Sequence, residues 1–332
     1  MNNTCSIIIR CYNEERHIGR LLSGITQQSV ADPEIILVDS GSSDATLDIA
    51  SRYPVKIVHI APEVFSFGRA LNIGCEAAAN EFIVLASAHV YPLYKDWLEK
   101  LLSYFVDERV ALVYGRQVGN SHSKFSEQRV FDQWFPGVSN RCQNHPFCNN
   151  ANAAIRKSVW EKLPYEESLT GLEDLDWAKR ALSQHYRIAY SAEAEIVHVH
   201  EETFGRILNR YRREALAMKQ IMPEETFSFT DFLRLFISNC GSDILKASRD
   251  GVLSKEAASI CAFRLMQFWG TYRGFSQKGP VSTSLRQRFY YPSDWRATPV
   301  QECNDASRCI DYSHESSCGL NDPNHRHIAS LK

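Results

Sequence analysis

No stretch of these 332 residues approaches the ~18 consecutive apolar residues that a membrane-spanning helix requires. Nor is there an excess of positive charge. With 37 Lys and Arg against 39 Asp and Glu, the formal net charge of -2 excludes a globally basic nucleic-acid binder, so no nucleic-acid partner is expected. The opening Met1-Asn2-Asn3-Thr4-Cys5 lacks the basic-then-apolar order of a secretory signal, and the ten cysteines do not cluster at small-scaffold spacings. Reduced thiols and a cytoplasmic location are therefore expected. The late Cys303, Cys309, His314, Cys318, His325 and His327 contain no Cys-x-x-Cys pair and do not read as a zinc site.

What is present is alternation. Strand patterns at Ile7–Ile9, Ile35–Val38, Val55–His59, Phe82–Leu85 and Val110–Tyr114 are separated by helical patterns through Arg16–Gln27, Asp44–Arg52, Gly68–Ala79 and Trp97–Phe105. Such β-α order predicts a mostly parallel sheet covered on both faces, with its loops gathered on one edge. Periodicity fades between Gly115 and Asn152, which reads as one long, functional loop region. A helix starts near Glu173, and short strands are expected at Arg187–Tyr190 and Glu195–His198. Helices without strands follow at Phe204–Met222, Thr230–Arg249 and Ser254–Trp269; beyond Trp295 the chain turns polar and poor order is expected.

Two of these strands end in polar clusters, Arg10-Cys11-Tyr12-Asn13-Glu14 and Asp39-Ser40-Gly41-Ser42-Ser43-Asp44. Open α/β sheets bind ligands at that edge. Asp39 stands where its carboxylate can accept hydrogen bonds, and Asp44 is placed to cap the next helix. Together the clusters resemble the opening of the family 2 glycosyltransferases, which implies a GT-A type nucleotide-diphospho-sugar fold. The resemblance implies that Tyr12, Glu14, Asp39, Ser42 and Asp44 bind the donor. Phe67-Gly68-Arg69-Ala70-Leu71-Asn72-Ile73-Gly74 is similar to an Arg-Ala-x-Asn-x-Gly element of the family, which adds Arg69.

The chain departs from the family after Leu85. Most members carry Asp-x-Asp there, holding a divalent metal; here Ser87 and His89 occupy the two acidic positions. Histidine suits borderline divalent ions and suits magnesium poorly, so His89 is expected either to ligate a metal such as manganese or to touch the diphosphate directly. Gly171-Leu172-Glu173-Asp174 matches the family's Glu-Asp element, implying Asp174 as catalytic base beside Glu173. A helix N-terminus should stabilise this carboxylate as an anion. In His198-Val199-His200 the two rings of an extended chain face opposite ways, so one is expected in the site, and His200 is favoured as a metal neighbour. The Cys148-Asn149-Asn150-Ala151-Asn152 run offers amides to sugar hydroxyls or to its own loop.

The expected organisation is a catalytic domain over 1–202, a helical extension over 203–295 and a polar tail over 296–332. The expected activity is inverting transfer of a sugar from a nucleotide-sugar to a saccharide or lipid-linked acceptor, with manganese or magnesium assisting. Five basic residues against one acid in Phe204–Met222, and the apolar stripe of Thr230–Arg249, suggest peripheral membrane contact, against simple packing of that stripe on the catalytic domain. Two rivals remain. A non-catalytic sugar-nucleotide binder is suggested by the missing Asp-x-Asp. A nucleotidyltransferase is disfavoured because Arg10–Glu14 lacks the glycines of a phosphate loop.

Overall fold

The computed structural model describes residues 4–279, 281–282, 285 and 308–312. Strands β1 (Cys5–Cys11), β2 (Glu34–Asp39), β3 (Val55–His59) and β4 (Phe82–Ser87) run parallel in the order β3-β2-β1-β4. Helices α1 (Ile18–Thr26), α2 (Thr46–Ala50) and α3 (Phe67–Ala77) make the crossovers. Period-2 geometry divides each strand between two cores. Ile7, Ile9, Ile35, Leu37 and Val84 pack with α1 and α2 on one face, while Ile8, Ile36, Val38, Ile83 and Leu85 pack with α3 on the other. Each buried Ile or Leu contributes about 1.5–3 kcal/mol relative to exposure.

The second half is less regular than expected. It runs β5 (Val90–Pro92), α4 (Trp97–Leu102), β6 (Val110–Val118), α5 (Phe125–Trp134), β7 (Asn140–Gln143), β8 (Asn152–Arg156), α6 (Lys157–Trp160), α7 (Glu173–Ser183) and β9 (Arg187–His198). The sheet continues β4-β8-β6-β9-β5, with β7 also on β9. β8 lies antiparallel between β4 and β6, so β6 does not extend the parallel set directly. The expected long loop thus contains α5, β7 and the extended end of β6. β9 is one strand of 12 residues rather than two. α5 was hidden because two of the three residues it buries, Ser126 and Glu127, are polar.

Three helices follow: α8 (Phe204–Ile221), α9 (Phe229–Arg249) and α10 (Leu253–Phe275). α8 and α10 approach closely where side chains vanish; a Cβ on Gly270 would stand 2.5 Å from the Leu208 carbonyl oxygen. The extension is locked to the sheet domain by a buried cluster, in which Ser126 Oγ and Arg264 Nε donate to Asp243 Oδ2 at 2.7 and 2.8 Å. Among the described residues no helix is long and apolar enough to cross a membrane.

Part of the tail is placed. Arg308 pairs with Asp96 at 2.9 Å, and the Tyr312 hydroxyl donates to the Pro92 carbonyl at 2.7 Å. Residues 308–312 therefore pack on the sheet domain beside β5 and α4, where a poorly ordered tail was expected; the rest of 296–332 lies outside the described residues. Cys309 is disulfide-bonded, which corrects the expectation that every thiol is reduced.

The Arg-Ala-x-Asn-x-Gly element has an architectural explanation. Asn72 Oδ1 accepts from Trp160 Nε1 and the Tyr165 backbone N–H, at 3.0 and 2.9 Å. Its Nδ2 donates to the Tyr165 carbonyl and Glu167 Oε1 at 3.0 and 2.9 Å. Gly74 lets α3 sit on β1, since a Cβ there would meet Ile8 Cγ2 at 2.5 Å. Asn72→Ala leaves two buried donors without an acceptor, so we expect a loss of about 2–4 kcal/mol of folding stability, read from urea unfolding. Unchanged stability would mean the segment around Tyr165 is held by other contacts.

Candidate active site

The two polar turns at the sheet edge are laced to each other. Asn13, at φ 53°, accepts from the Ser43 N–H, while Ser42 Oγ accepts from the Asn13 N–H at 2.9 Å. The Thr46 hydroxyl accepts from the Glu14 N–H at 2.7 Å, and Asp44 accepts from the Glu15 N–H. Asp39 is buried and holds its own turn, accepting from the Gly41 N–H at 3.0 Å and the Ser42 N–H at 3.2 Å. Gly41 sits at φ 93°, a conformation that favours glycine. Asp44 also accepts from the Thr46 N–H at 3.0 Å in the first turn of α2, although the N-cap position itself is Ala45.

Beside these turns lies a cavity of about 370 Å³ between the sheet edge, the start of α7 and the flank of α8. Its walls bring together Glu14, Ser87, His89, Glu173, Asp174 and His200 from the expected set. Tyr12, Asp39, Ser42, Asp44 and Arg69 are not in those walls. Arg69 is about half exposed and faces Glu167 at 3.9 Å. The cations that do line the cavity are Arg10, Arg206, Arg210 and Arg213. Three of these belong to α8, so three of the five cations that suggested membrane attachment are turned into the cavity.

Asp174 sits at the start of α7, after Leu172 in a left-handed turn at φ 56°. Its carboxylate accepts from the Leu175 and Asn150 N–H groups at 2.8 and 3.2 Å. These bonds favour the anion, as the helix start was expected to do. Burial outweighs them and, with the charge of Glu173, pushes the Asp174 pKa up to about 7. Glu173 is held away by Arg10, 2.8 Å from its Oε1. The guanidiniums of Arg10 and Arg213 lie over the Phe67 ring, at 5.0 and 4.7 Å from its centroid. Both amide atoms of Asn150 are buried and make no protein hydrogen bond. The asparagine-rich run therefore offers a free amide next to the acid.

On the other side, His89, His198 and His200 meet. His198 and His200 ring centroids are 4.0 Å apart, and His89 stacks on His198 at 5.1 Å. The expectation that only one of His198 and His200 enters the site is wrong, because β9 ends at His198 and strand alternation stops there. Val199 instead donates its N–H to the His89 carbonyl at 3.0 Å. Burial, together with the neighbouring imidazoles, holds the His198 pKa far below the usual histidine range. For His89 burial acts downward, but the charge and hydrogen bond of Glu14 with the charge of Glu202 raise its pKa. One nitrogen of each ring lies within 4.8 Å of the others, and His198 Nε2 is buried without a protein partner. This donor set fits a borderline divalent cation and fits magnesium poorly.

Sequence reasoning gave Arg10 no role and preferred His200 to His198; it offered the arginines of Phe204–Met222 to the diphosphate as a group, and the cavity takes Arg206, Arg210 and Arg213. Arg10 was readable only as part of the turn motif, and the α8 basic run carried no sign of which way it faced.

A model of the family described as glycosyl transferase family 2 matches residues 6–163. The chain is 31% identical over 198 residues to the O-antigen chain rhamnosyltransferase WbaN of Salmonella anatum, covering 56% of this chain and 62% of that relative. It is 28% identical over 220 residues to the O-antigen chain rhamnosyltransferase RfbN of Salmonella typhimurium, covering 62% and 69%. The match to WbaN thus spans less than two thirds of that relative's length. Among solved structures, it resembles mannosyltransferase PcManGT from Pyrobaculum calidifontis in complex with GDP-Man and Mn2+. That likeness has a TM-score of 0.58 at 17% identity, over 83% of this chain and 88% of that one. S. aureus TarS 1-349 in complex with UDP-GlcNAc follows at TM-score 0.51 and 17% identity, over 85% and 95%. At such identities the two structures speak for the fold, which is of the GT-A glycosyltransferase type. Over residues 6–163 the chain is similar to glycosyl transferase family 2, and the two curated relatives point the same way.

Proposed function

We propose that this chain is an inverting glycosyltransferase. It moves a sugar from a nucleotide-diphosphate donor to a hydroxyl of a saccharide or lipid-linked acceptor in polysaccharide or glycoconjugate assembly. The observation that carries the reading is Asp174, a buried acid with a pKa near 7, facing a cavity walled by guanidiniums and imidazoles. A base must match the working pH, and a carboxylate raised to that range accepts a proton far better than an ordinary one. Asp174 takes the acceptor's hydroxyl proton, and the freed oxygen attacks the anomeric carbon from the face opposite the nucleotide. A new C–O bond forms as the bond to the diphosphate breaks, its electron pair leaving with the phosphate oxygen. Glu173 tunes the base and, paired with Arg10, keeps that guanidinium at the cavity wall.

The leaving diphosphate is neutralised by Arg10, Arg206, Arg210 and Arg213, with Ser87 at the end of β4. His89 and His200 would hold a divalent ion, manganese in preference to magnesium, and such an ion supplies further charge neutralisation to the diphosphate when bound. Tyr12, Asp39, Ser42, Asp44 and Arg69 form the nucleoside end of the donor site, outside the cavity but on the same sheet edge. The relatives named as O-antigen chain rhamnosyltransferases support a saccharide acceptor and make a rhamnosyl nucleotide the first donor to test. Peripheral contact with a membrane keeps one of its two supports, the exposed Phe229, Leu233, Ile237 and Leu245 stripe of α9, since three of the five α8 cations line the cavity.

Asp174→Asn keeps shape and removes basicity, so turnover should fall by ~10²-fold or more while donor affinity stays nearly intact. Parent-rate turnover would place the base elsewhere. The unprotonated acid is the active form, so kcat of the parent should rise with pH, about tenfold per unit on the acid side, and level off above about 7. Glu173→Gln removes the neighbouring negative charge, and the acid limb should move to lower pH; a limb that stays put would mean Asp174 is not the group titrating. Asp39→Ala should weaken binding of the preferred nucleotide by at least ~1 kcal/mol in calorimetry, and unchanged affinity in a folded variant would remove Asp39 from the donor site.

A further inference from the structure

The three histidines share an arrangement that neither ring position nor motif predicts. His89 Nδ1 lies 2.8 Å from Glu14 Oε1, His198 Nδ1 is 2.7 Å from Gln117 Oε1, and His200 Nδ1 is 2.7 Å from Glu127 Oε1. Each partner is an oxygen that can only accept, so each Nδ1 carries a proton. In the neutral ring the lone pair then sits on Nε2, three times over. Oxygen partners on the far nitrogen are how metal-binding histidines are oriented and made more basic. The anchors are themselves fixed. The Glu14 N–H is held by Thr46, Glu127 also accepts from Arg210 at 2.9 Å, and Gln117 is fully buried on β6. His198 Nε2 is buried with no protein hydrogen bond, a cost that a ligand would remove. The Ser87 hydroxyl, 3.1 Å from His89 Nε2, can donate to that lone pair when nothing else engages it.

From this we infer that His89, His198 and His200 form a three-imidazole centre that takes up a transition-metal dication through Nε2 before any nucleotide binds. Glu14, Gln117 and Glu127 act as positioning residues. The inference rests on the metal placement proposed above but changes its ligand set and its order of assembly. A site built on carboxylates shares a hard ion with the donor's phosphates; three neutral nitrogens favour zinc, cobalt or manganese over magnesium and need no donor oxygen to complete a foothold.

The test uses the full chain, stripped with chelator and dialysed, without nucleotide. Equilibrium dialysis should show one equivalent each of Zn2+ and Co2+, and Co2+ should develop visible absorption bands characteristic of nitrogen coordination. Equimolar Mg2+ should not displace either ion. His198→Ala should weaken binding by ~10²-fold or more, and Gln117→Leu by about 10–100-fold. Because these variants touch buried positions, the parent alone also decides. Its 15N-histidine spectrum should show three rings protonated at Nδ1, whose Nε2 resonances shift on adding Zn2+. No binding by the parent without nucleotide, Mg2+ competing equally, or a folded His198→Ala that binds like the parent would overturn the proposal. None of these readouts involves sugar transfer, so the centre can fail while glycosyl transfer stands, and the reverse.

Discussion

Glu14 is fixed at both ends, and the rest of the site hangs from it. Its backbone N–H is held by the Thr46 hydroxyl at the start of α2, and its carboxylate accepts from His89 at the end of β4. One residue thus ties the first turn to the second turn and to the third parallel strand end that the sheet brings alongside. β1 pairs with β2 on one side and β4 on the other, so these strand ends stand adjacent because the register demands it. The left-handed backbone of Asn13, immediately before Glu14, aims the chain across the gap between strands. Without that turn the His89 ring would lose its oxygen partner, and the stack of imidazoles its outer member.

The cavity also balances charge in a way that explains the unusual acid. Four arginines and a cluster of carboxylates share its walls, but they are paired locally: Arg10 with Glu173, Arg210 with Glu127 and Glu202. Asp174 makes no ion pair among the described residues; the hydrogen bonds it accepts come from backbone N–H groups. Two such bonds do not offset full burial beside another carboxylate, so the proton stays on to near neutrality. The electrostatic division of labour is between neighbours in sequence. Glu173 stays with Arg10, and Asp174 faces the cavity.

Much of the fold was legible in the residues, and the reasons differ by region. The first four strands alternate between two dry cores, and runs such as Ile7–Ile9 and Ile35–Val38 carry no polar residue on either core face. Their identity and the order of their crossovers were therefore readable. β8 was not, because Asn152-Ala153-Ala154-Ile155-Arg156 has weak strand preference and becomes a strand only by filling the gap between β4 and β6. α5 was obscured because its inward face carries Ser126 and Glu127, which serve Asp243, His200 and Arg210 rather than an apolar core. In the site, Asp174, Glu173, Glu14, Ser87, His89 and His200 were named from ordered motifs, and the cavity brings them together. The asparagine and glycine of the motif around Arg69 are explained by packing, while the arginine itself faces Glu167 near the surface, outside the cavity.

The boundary near residue 202 separates strands from helices, but the site crosses it. α8 supplies Arg206, Arg210 and Arg213 to the cavity wall, and Arg210 also steadies Glu127, the oxygen partner of His200. α9 and α10 reach the same place from behind, because the buried Asp243–Arg264 pair grips Ser126, the residue before Glu127 on α5. Breaking one member of such a buried pair typically costs 3–5 kcal/mol, since the other charge is left stranded. The helical extension therefore bears on the chemistry along two routes, one electrostatic through α8 and one mechanical through α5. Of the five basic residues of α8, Arg206, Arg210 and Arg213 line the cavity, while Arg212 and Lys219 bond to Phe275 and Gln277 at the end of α10 and just beyond it. What remains for an outside partner is the exposed apolar edge of α9, carried by Phe229, Leu233, Ile237 and Leu245.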